Sequence, residues 1–332
     1  MRLSALVLGV LAFSASAQDV HVKVDPHGPG STDSTTDYKT VQQALDHAPQ
    51  PPLPYRLWID IVPGTYAERI NVTQNRPRVT LHGLGAKPED VVITASQNSK
   101  SAGGTFFTET AQINGEAFEA DNLTFQNAAG PTGQAVAAAV RSDRAVFKHV
   151  RFLGDQDTLF ADYGRQYYVD SYVEGGVDFI FGNAAAVFDH CEIHAIRPGF
   201  YTAQSRTDPN GTTGYVFTNS RFTASFPAAD GSNKRRTEFL GRPWRAYARV
   251  VVMNSELPAD LGEAGWSKWR GNDPQPQAFY AEYNNSGPGW QPKARALWTH
   301  MLSAKEAAAF EPQHFLAGAD HWNPQADAAK LP

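Results

Sequence analysis

Two carboxylates stand in surroundings that are costly for a charge. Gly154-Asp155-Gln156-Asp157-Thr158-Leu159-Phe160 and Gly176-Val177-Asp178-Phe179-Ile180-Phe181-Gly182 each set an acid among apolar and aromatic residues. An ionised carboxylate buried without a partner is strongly unfavourable, so it needs a counter-charge or a reaction to perform. Two such acids can divide the work, one acting as nucleophile or base and the other as proton donor. That chemistry requires the fold to bring Asp157 and Asp178 together across the 21 residues that separate them.

A weak repeat offers the means. Nine-residue windows opening at Ala117, Ala145, Tyr167, Ala186, Tyr215 and Val251 share a polar pair near the centre, and most begin with an apolar triplet. Their starts are 28, 22, 19, 29 and 36 residues apart. A constant kernel at irregular spacing describes stacked coils whose strands repeat while their loops vary. The strands are short, rich in Val, Phe, Tyr and Ile, and bounded by Gly, Asn and Asp. No long helical pattern interrupts them, and two-residue hairpin signals are missing. The expected fold is an all-β, single-stranded parallel β-helix in one domain over residues 18–332.

A solenoid must cover its open ends. Val41, Ala44, Leu45 and Ala48 recur at helical spacing, which predicts a short helix over the amino-terminal coil. Ser303-Ala304-Lys305-Glu306 is a capping-box pattern that predicts another near the carboxyl end. Pro49–Pro54 reads as a connector before a first strand at Leu57–Val62.

The same stacking sets Asp157 beside Asp178, because adjacent parallel strands lie about 4.8 Å apart. Strict alignment of the kernels, however, puts Asp178 over Gln156 and leaves Asp157 one position out of step. On the sequence alone, a bend must correct this before the acids can share a groove.

Arg2, the apolar run Leu3–Phe13 and Ala15-Ser16-Ala17 form a secretory signal pattern over residues 1–17. No later segment reaches the roughly 18 apolar residues of a spanning helix. The expected product is secreted, extracellular or periplasmic, and acts as a monomer without a membrane partner. A single cysteine, Cys191, excludes an internal disulfide and reads as a small core residue. The net charge of −5 gives no electrostatic basis for nucleic-acid binding. The ten histidines show no zinc-type spacing, and no acid cluster around the motifs suits calcium, so neither metal nor cofactor is expected. Of the sequons at Asn71, Asn122, Asn210 and Asn284, the one at Asn122 falls in a repeat kernel and is expected to be inaccessible.

Four ordered blocks resemble the signatures of the pectin methylesterases: Gln134-Ala135-Val136-Ala137, Gln156-Asp157-Thr158-Leu159, Asp178-Phe179-Ile180-Phe181-Gly182 and Leu240-Gly241-Arg242-Pro243-Trp244. Further matches include Thr40–Ala44, Pro63–Glu68, Phe125-Gln126-Asn127 and Tyr201–Arg206, so the resemblance runs from about Val20 to the end. It implies a right-handed parallel β-helix, in agreement with the repeat. Two departures stand out. Asp155 occupies a position where the family often has an aromatic residue, and Ala137-Ala138-Ala139 replaces a usual Ala-Leu. The inhibitor-like leader of many plant members has no expected counterpart.

The resemblance also implies an activity, the hydrolysis of galacturonate methyl esters in pectin. Asp178 would be the nucleophile, oriented and kept ionised by the guanidinium fork of Arg242. Asp157 would donate a proton to the departing methoxide and later take one from water. Gln156 and Gln134 would donate N–H groups to the oxyanion. Trp244, Phe181, Phe160 and Thr105 would contact the sugar. Two other readings compete: a β-helix glycoside hydrolase, whose paired acids would flank a glycosidic bond, and a carbohydrate-binding β-helix without catalysis. Paired amide donors suit an acyl oxyanion better than an oxocarbenium ion.

Overall fold

The computed structural model describes residues 18–28, 37–226, 238–269 and 277–332. The secretory pattern at 1–17 lies outside them. The chain winds as a right-handed parallel β-helix, the hand strongly favoured for parallel crossover connections. Three parallel sheets run along it.

The first sheet begins with Val20–Val24, Leu57–Ile61 and Val79–Gly83, and continues through Arg165–Val169, Ala185–Asp189, Gly214–Thr218, Arg249–Met253 and Phe279–Tyr283. The second contains Gly64–Ala67 and Val91–Ala95; the third contains Ile70–Val72, Ala111–Ile113, Ala138–Arg141 and Leu159–Tyr163. Long strands such as Glu119–Asn127, Ala145–Leu153, Tyr172–Gly182 and Glu192–Gln204 turn a corner and serve two sheets. Leu57–Ile61 is therefore not the first strand, since Val20–Val24 precedes it and pairs along its whole length.

Identical positions on successive coils stack. Phe147, Tyr168, Phe188 and Phe217 form an interior ladder with ring centroids 4.7, 4.5 and 4.7 Å apart. Such offset stacks add about 0.5–1.5 kcal/mol per pair beyond area burial. Cys191 lies buried beside this column with its thiol pushed up by desolvation, as suits a core residue and not a nucleophile. The amino-terminal helix spans Val41–His47, capped by Thr40, and buries Val41, Ala44 and Leu45. Ser303 and Glu306 form the expected capping box on the helix Ala304–Ala307.

The polar pair of the repeat marks the corner between the first and second sheets. Asn122, His149, Asp170, His190, Asn219, Asn254 and Asn284 all adopt left-handed backbone there, with φ from 47° to 54°. Asn and Asp tolerate this region because their short polar side chains bond locally. Asn122 gives its amide to Gly83 O and Gly85 O, at 2.9 and 2.8 Å, which occupies its sequon nitrogen.

The register corrects the sequence alignment. Ala145 pairs with Gln166, not Tyr167, and Leu159 pairs with Ile180. The step between these coils is thus 21 residues, and Asp157 falls level with Asp178 without any compensating bend. Gln166 is fully buried in a strand, where its amide donates to Val140 O and Tyr163 O and its carbonyl accepts from Tyr168. Alignment by apolar triplets skipped it for its polarity, which moved the window by one place.

Candidate active site

Asp157 and Asp178 repeat the left-handed bend on neighbouring coils, at φ 64° and 53°. The amide of Asp157 donates to Val177 O, which locks the two turns together. Both acids face an open cleft of 240 Å³, lined also by Thr105, Phe106, Gln134, Gln156, Phe181 and Arg242, with Trp244 and Trp269 on one wall.

Their environments differ. Asp178 is only 6% exposed and receives both prongs of Arg242, Nε to Oδ1 at 2.9 Å and Nη2 to Oδ2 at 2.7 Å. The guanidinium carbon lies 3.9 Å from the Phe200 ring centre and 4.4 Å from that of Trp269, so it is clamped between two aromatic faces. The turn that delivers Arg242 needs Gly241, because a side chain there would collide with Thr202 Oγ1. The carboxyl of Asp157 makes no hydrogen bond among the described residues. Desolvation, with the Asp178 charge second, pushes it well above the usual carboxylate range, and Arg242 opposes this. One acid is held for the ionised form and its neighbour for the protonated one.

Gln134 and Gln156 bridge between adjacent coils just ahead of the acids. Ser99 Oγ donates to Gln134 Oε1 at 2.9 Å, which fixes that amide and leaves its N–H pair to the cleft. Among the described residues no hydrogen bond engages the Gln156 amide, so it too is open to a ligand.

The aromatic expectations divide. Phe181 and Trp244 line the cleft, and Thr105 lines it from the short turn Thr105–Phe107. Phe160 is 5% exposed and outside the lining, stacked on Phe181 at 4.6 Å and packed under Phe106 at 5.0 Å. It braces the wall. Phe106, Phe200 and Trp269 escaped the sequence reading because none falls in a repeat kernel or signature block. Asp155 is 4% exposed and ion-paired with Arg197 Nε, so its charge is answered behind the cleft wall. Arg197 reaches it from a local bulge: pairing jumps from Gly175↔Ala195 to Val177↔Phe200, and a Cβ on Gly176 would clash with the arginine stem.

The cleft thus sets two unlike acids beside two amides on a parallel β-helix, an arrangement suited to acid–base and nucleophilic chemistry. The sequence model of the Pectinesterase family matches residues 30–319, and the chain belongs to that family. It is 40% identical over 304 residues to Pectinesterase 1 of Citrus sinensis, covering 89% of this chain and 51% of that one. It is 38% identical to Pectinesterase of Daucus carota, covering 89% and 94%. The chain thus spans about half the length of some relatives and nearly all of others. Among solved structures, pectin methylesterase from carrot superposes with a TM-score of 0.83 at 36% identity, covering 94% of this chain and 97% of the other. That of Aspergillus niger gives 0.74 at 30% identity, covering 86% and 90%.

Proposed function

We propose that the protein is a pectinesterase that removes methyl groups from methyl-esterified galacturonate in pectin, releasing methanol. The observation that carries this is the in-register stack of two unlike acids, Asp178 gripped by Arg242 and Asp157 ungripped, with burial and the Asp178 charge raising its pKa. Family membership supports the substrate class, and a solved pectin methylesterase 26% identical to this chain is in complex with a hexasaccharide.

In this reading the Asp178 carboxylate attacks the ester carbonyl carbon. Negative charge moves to the carbonyl oxygen, where the amides of Gln134 and Gln156 stabilise it, each by about 3–4 kcal/mol. The tetrahedral centre collapses, the C–OCH₃ bond breaks, and methoxide leaves with the proton of Asp157 as methanol. What remains is an anhydride between Asp178 and the sugar. Asp157, now a carboxylate, takes a proton from water as the oxygen attacks the sugar carbonyl. The anhydride bond breaks, Asp178 leaves as carboxylate, and Asp157 is again protonated. Phe181 and Trp244 flank the sugar, Thr105 bounds the opposite edge, and Arg242 keeps the nucleophile aimed. No step calls for a metal or cofactor.

The amino-terminal pattern supports export, and among the described residues no helix is long and apolar enough to cross a membrane. Incubation with highly methylated pectin tests the activity. Methanol and titratable acid without new reducing ends are expected; new reducing ends would point instead to a glycoside hydrolase.

A further inference from the structure

A second pocket, of 440 Å³, opens at the corner between the third and first sheets, away from the cleft. Arg249, Phe279, Phe310 and Phe315 line it, with Thr212 and His314 at the rim. The rings of Phe279 and Phe310 stack at 5.9 Å and 20°, and Phe315 continues the series at 5.9 Å. Arg249 is the charged group of this wall, and among the described residues it has no ion pair. Its one side-chain hydrogen bond there is a long one, 3.4 Å, to Thr212 O.

Arg206, buried behind it, spends its fork on Tyr247 O and Gly211 O, both at 2.6 Å. Asp208 on the same loop accepts from the Asn210 amide and forms no ion pair with either arginine. Burial, and after it the neighbouring Arg206, bring the Arg249 guanidinium down to about 10. Among the described residues this half-buried cation meets no carboxylate, which is unusual in a chain of net charge −5. It can be answered by an anion from outside.

The pocket is tied to the cleft by one short turn. Trp244 N donates to Gln204 O, Tyr247 N to Arg206 O, and Arg249 N to Gln204 Oε1. Trp244 at one end of this turn lines the cleft, Arg249 at the other lines the pocket, and the exposed Arg245 lies over the Trp244 ring at 4.7 Å. Even fully extended, these residues span no more than about 20 Å.

We propose that this pocket is a second carbohydrate subsite, which takes a de-esterified uronate unit of the polymer engaged in the cleft. Arg249 pairs with the carboxylate through its planar fork, and Phe279 and Phe310 pack against the apolar face of the sugar ring. A neutral methyl-ester unit offers no anion, so the subsite distinguishes product from substrate. It holds the enzyme on stretches already processed. The inference rests on the polyuronate reading of the cleft.

Calorimetric titration of the full chain with unesterified trigalacturonate tests it. Two trimers per chain are expected, with one site lost in Arg249→Gln while methanol release from a short methyl-esterified oligomer stays within twofold of wild type. Phe310→Ala, which keeps the cation, should weaken the second site at least tenfold and decides the matter if Arg249→Gln does not fold. A single site in the wild type, or a second site undiminished in the variants, overturns the proposal. Failure of the wild type to release methanol from pectin sinks the esterase reading instead, independently of the trimer count.

Discussion

Two corners of the same coil use one backbone device for opposite ends. At the first corner, seven residues from Asn122 to Asn284 take left-handed backbone and turn the chain. At the second, Asp157 and Asp178 take the same conformation, and their carboxyls meet in the cleft. Each such residue costs of order 1 kcal/mol. Left-handed backbone therefore does not identify the site in this fold, because the solenoid also uses it at seven turns of the first corner. What separates the corners is the company kept. Asn254 and Asn284 bond one another along their column, whereas Asp178 meets a guanidinium and Asp157 meets a like charge.

The comparison breaks most visibly at Asp178. Asp178→Asn should lower methanol release by about 10⁴-fold or more, since a neutral amide does not attack an ester. The variant should stay folded, because Asn takes the left-handed bend as readily as Asp and still accepts from Arg242. A folded Asp178→Asn enzyme with near-normal turnover would refute the anhydride. A smaller loss is expected from Gln156→Ala, about 10²–10³-fold in kcat with little change in KM, for an amide that acts on the oxyanion. An effect confined to KM would make Gln156 a substrate contact only.

How much of this the sequence disclosed depended on whether side chains advertised their place. The corner residues did, since a polar pair amid apolar strands has few other uses, and so did the signature-block residues Gln134, Gln156, Asp157, Asp178 and Arg242. Register is not legible at Gln166, a polar residue fully buried and satisfied inside a strand, because hydrophobic patterning cannot see a buried amide with good partners. Trp269 and Phe200, which clamp Arg242, had no local signal: they meet it only through stacking across coils. Phe160 carried the right chemistry but faces its neighbours Phe106 and Phe181, a matter of side-chain direction.

The two acids should also part company in their effect on stability. Asp157 has a folded-state pKa raised by burial and by Asp178. The folded chain therefore holds that proton to higher pH than the unfolded chain, for which about 3.9 is usual. Stability from this group is complete below pH 4 and is lost as pH rises toward the folded value, by about 1.4 kcal/mol per pH unit. Asp157→Asn mimics the protonated acid. It should match the wild type near pH 3, gain on it progressively through pH 5 and 6, and lose methanol release throughout. Denaturant midpoints measured across that range check the sign, and a difference independent of pH would show that Asp157 is ionised in the fold.

The smallest effect belongs to the structural corner. Asn254 sits at φ 51° and accepts the Asn284 amide at 2.9 Å. Asn254→Ala forfeits that bond and places a residue with no local polar group in the left-handed region, at a combined cost of about 1–2 kcal/mol. Asn254→Gly should recover part of it, since glycine takes the conformation freely. Neither should alter methanol release at a temperature where both remain folded. Matched losses of stability and kcat at Asn254 would mean that the two corners are mechanically coupled, and that the bends at Asp157 and Asp178 depend on the rest of the coil for their aim.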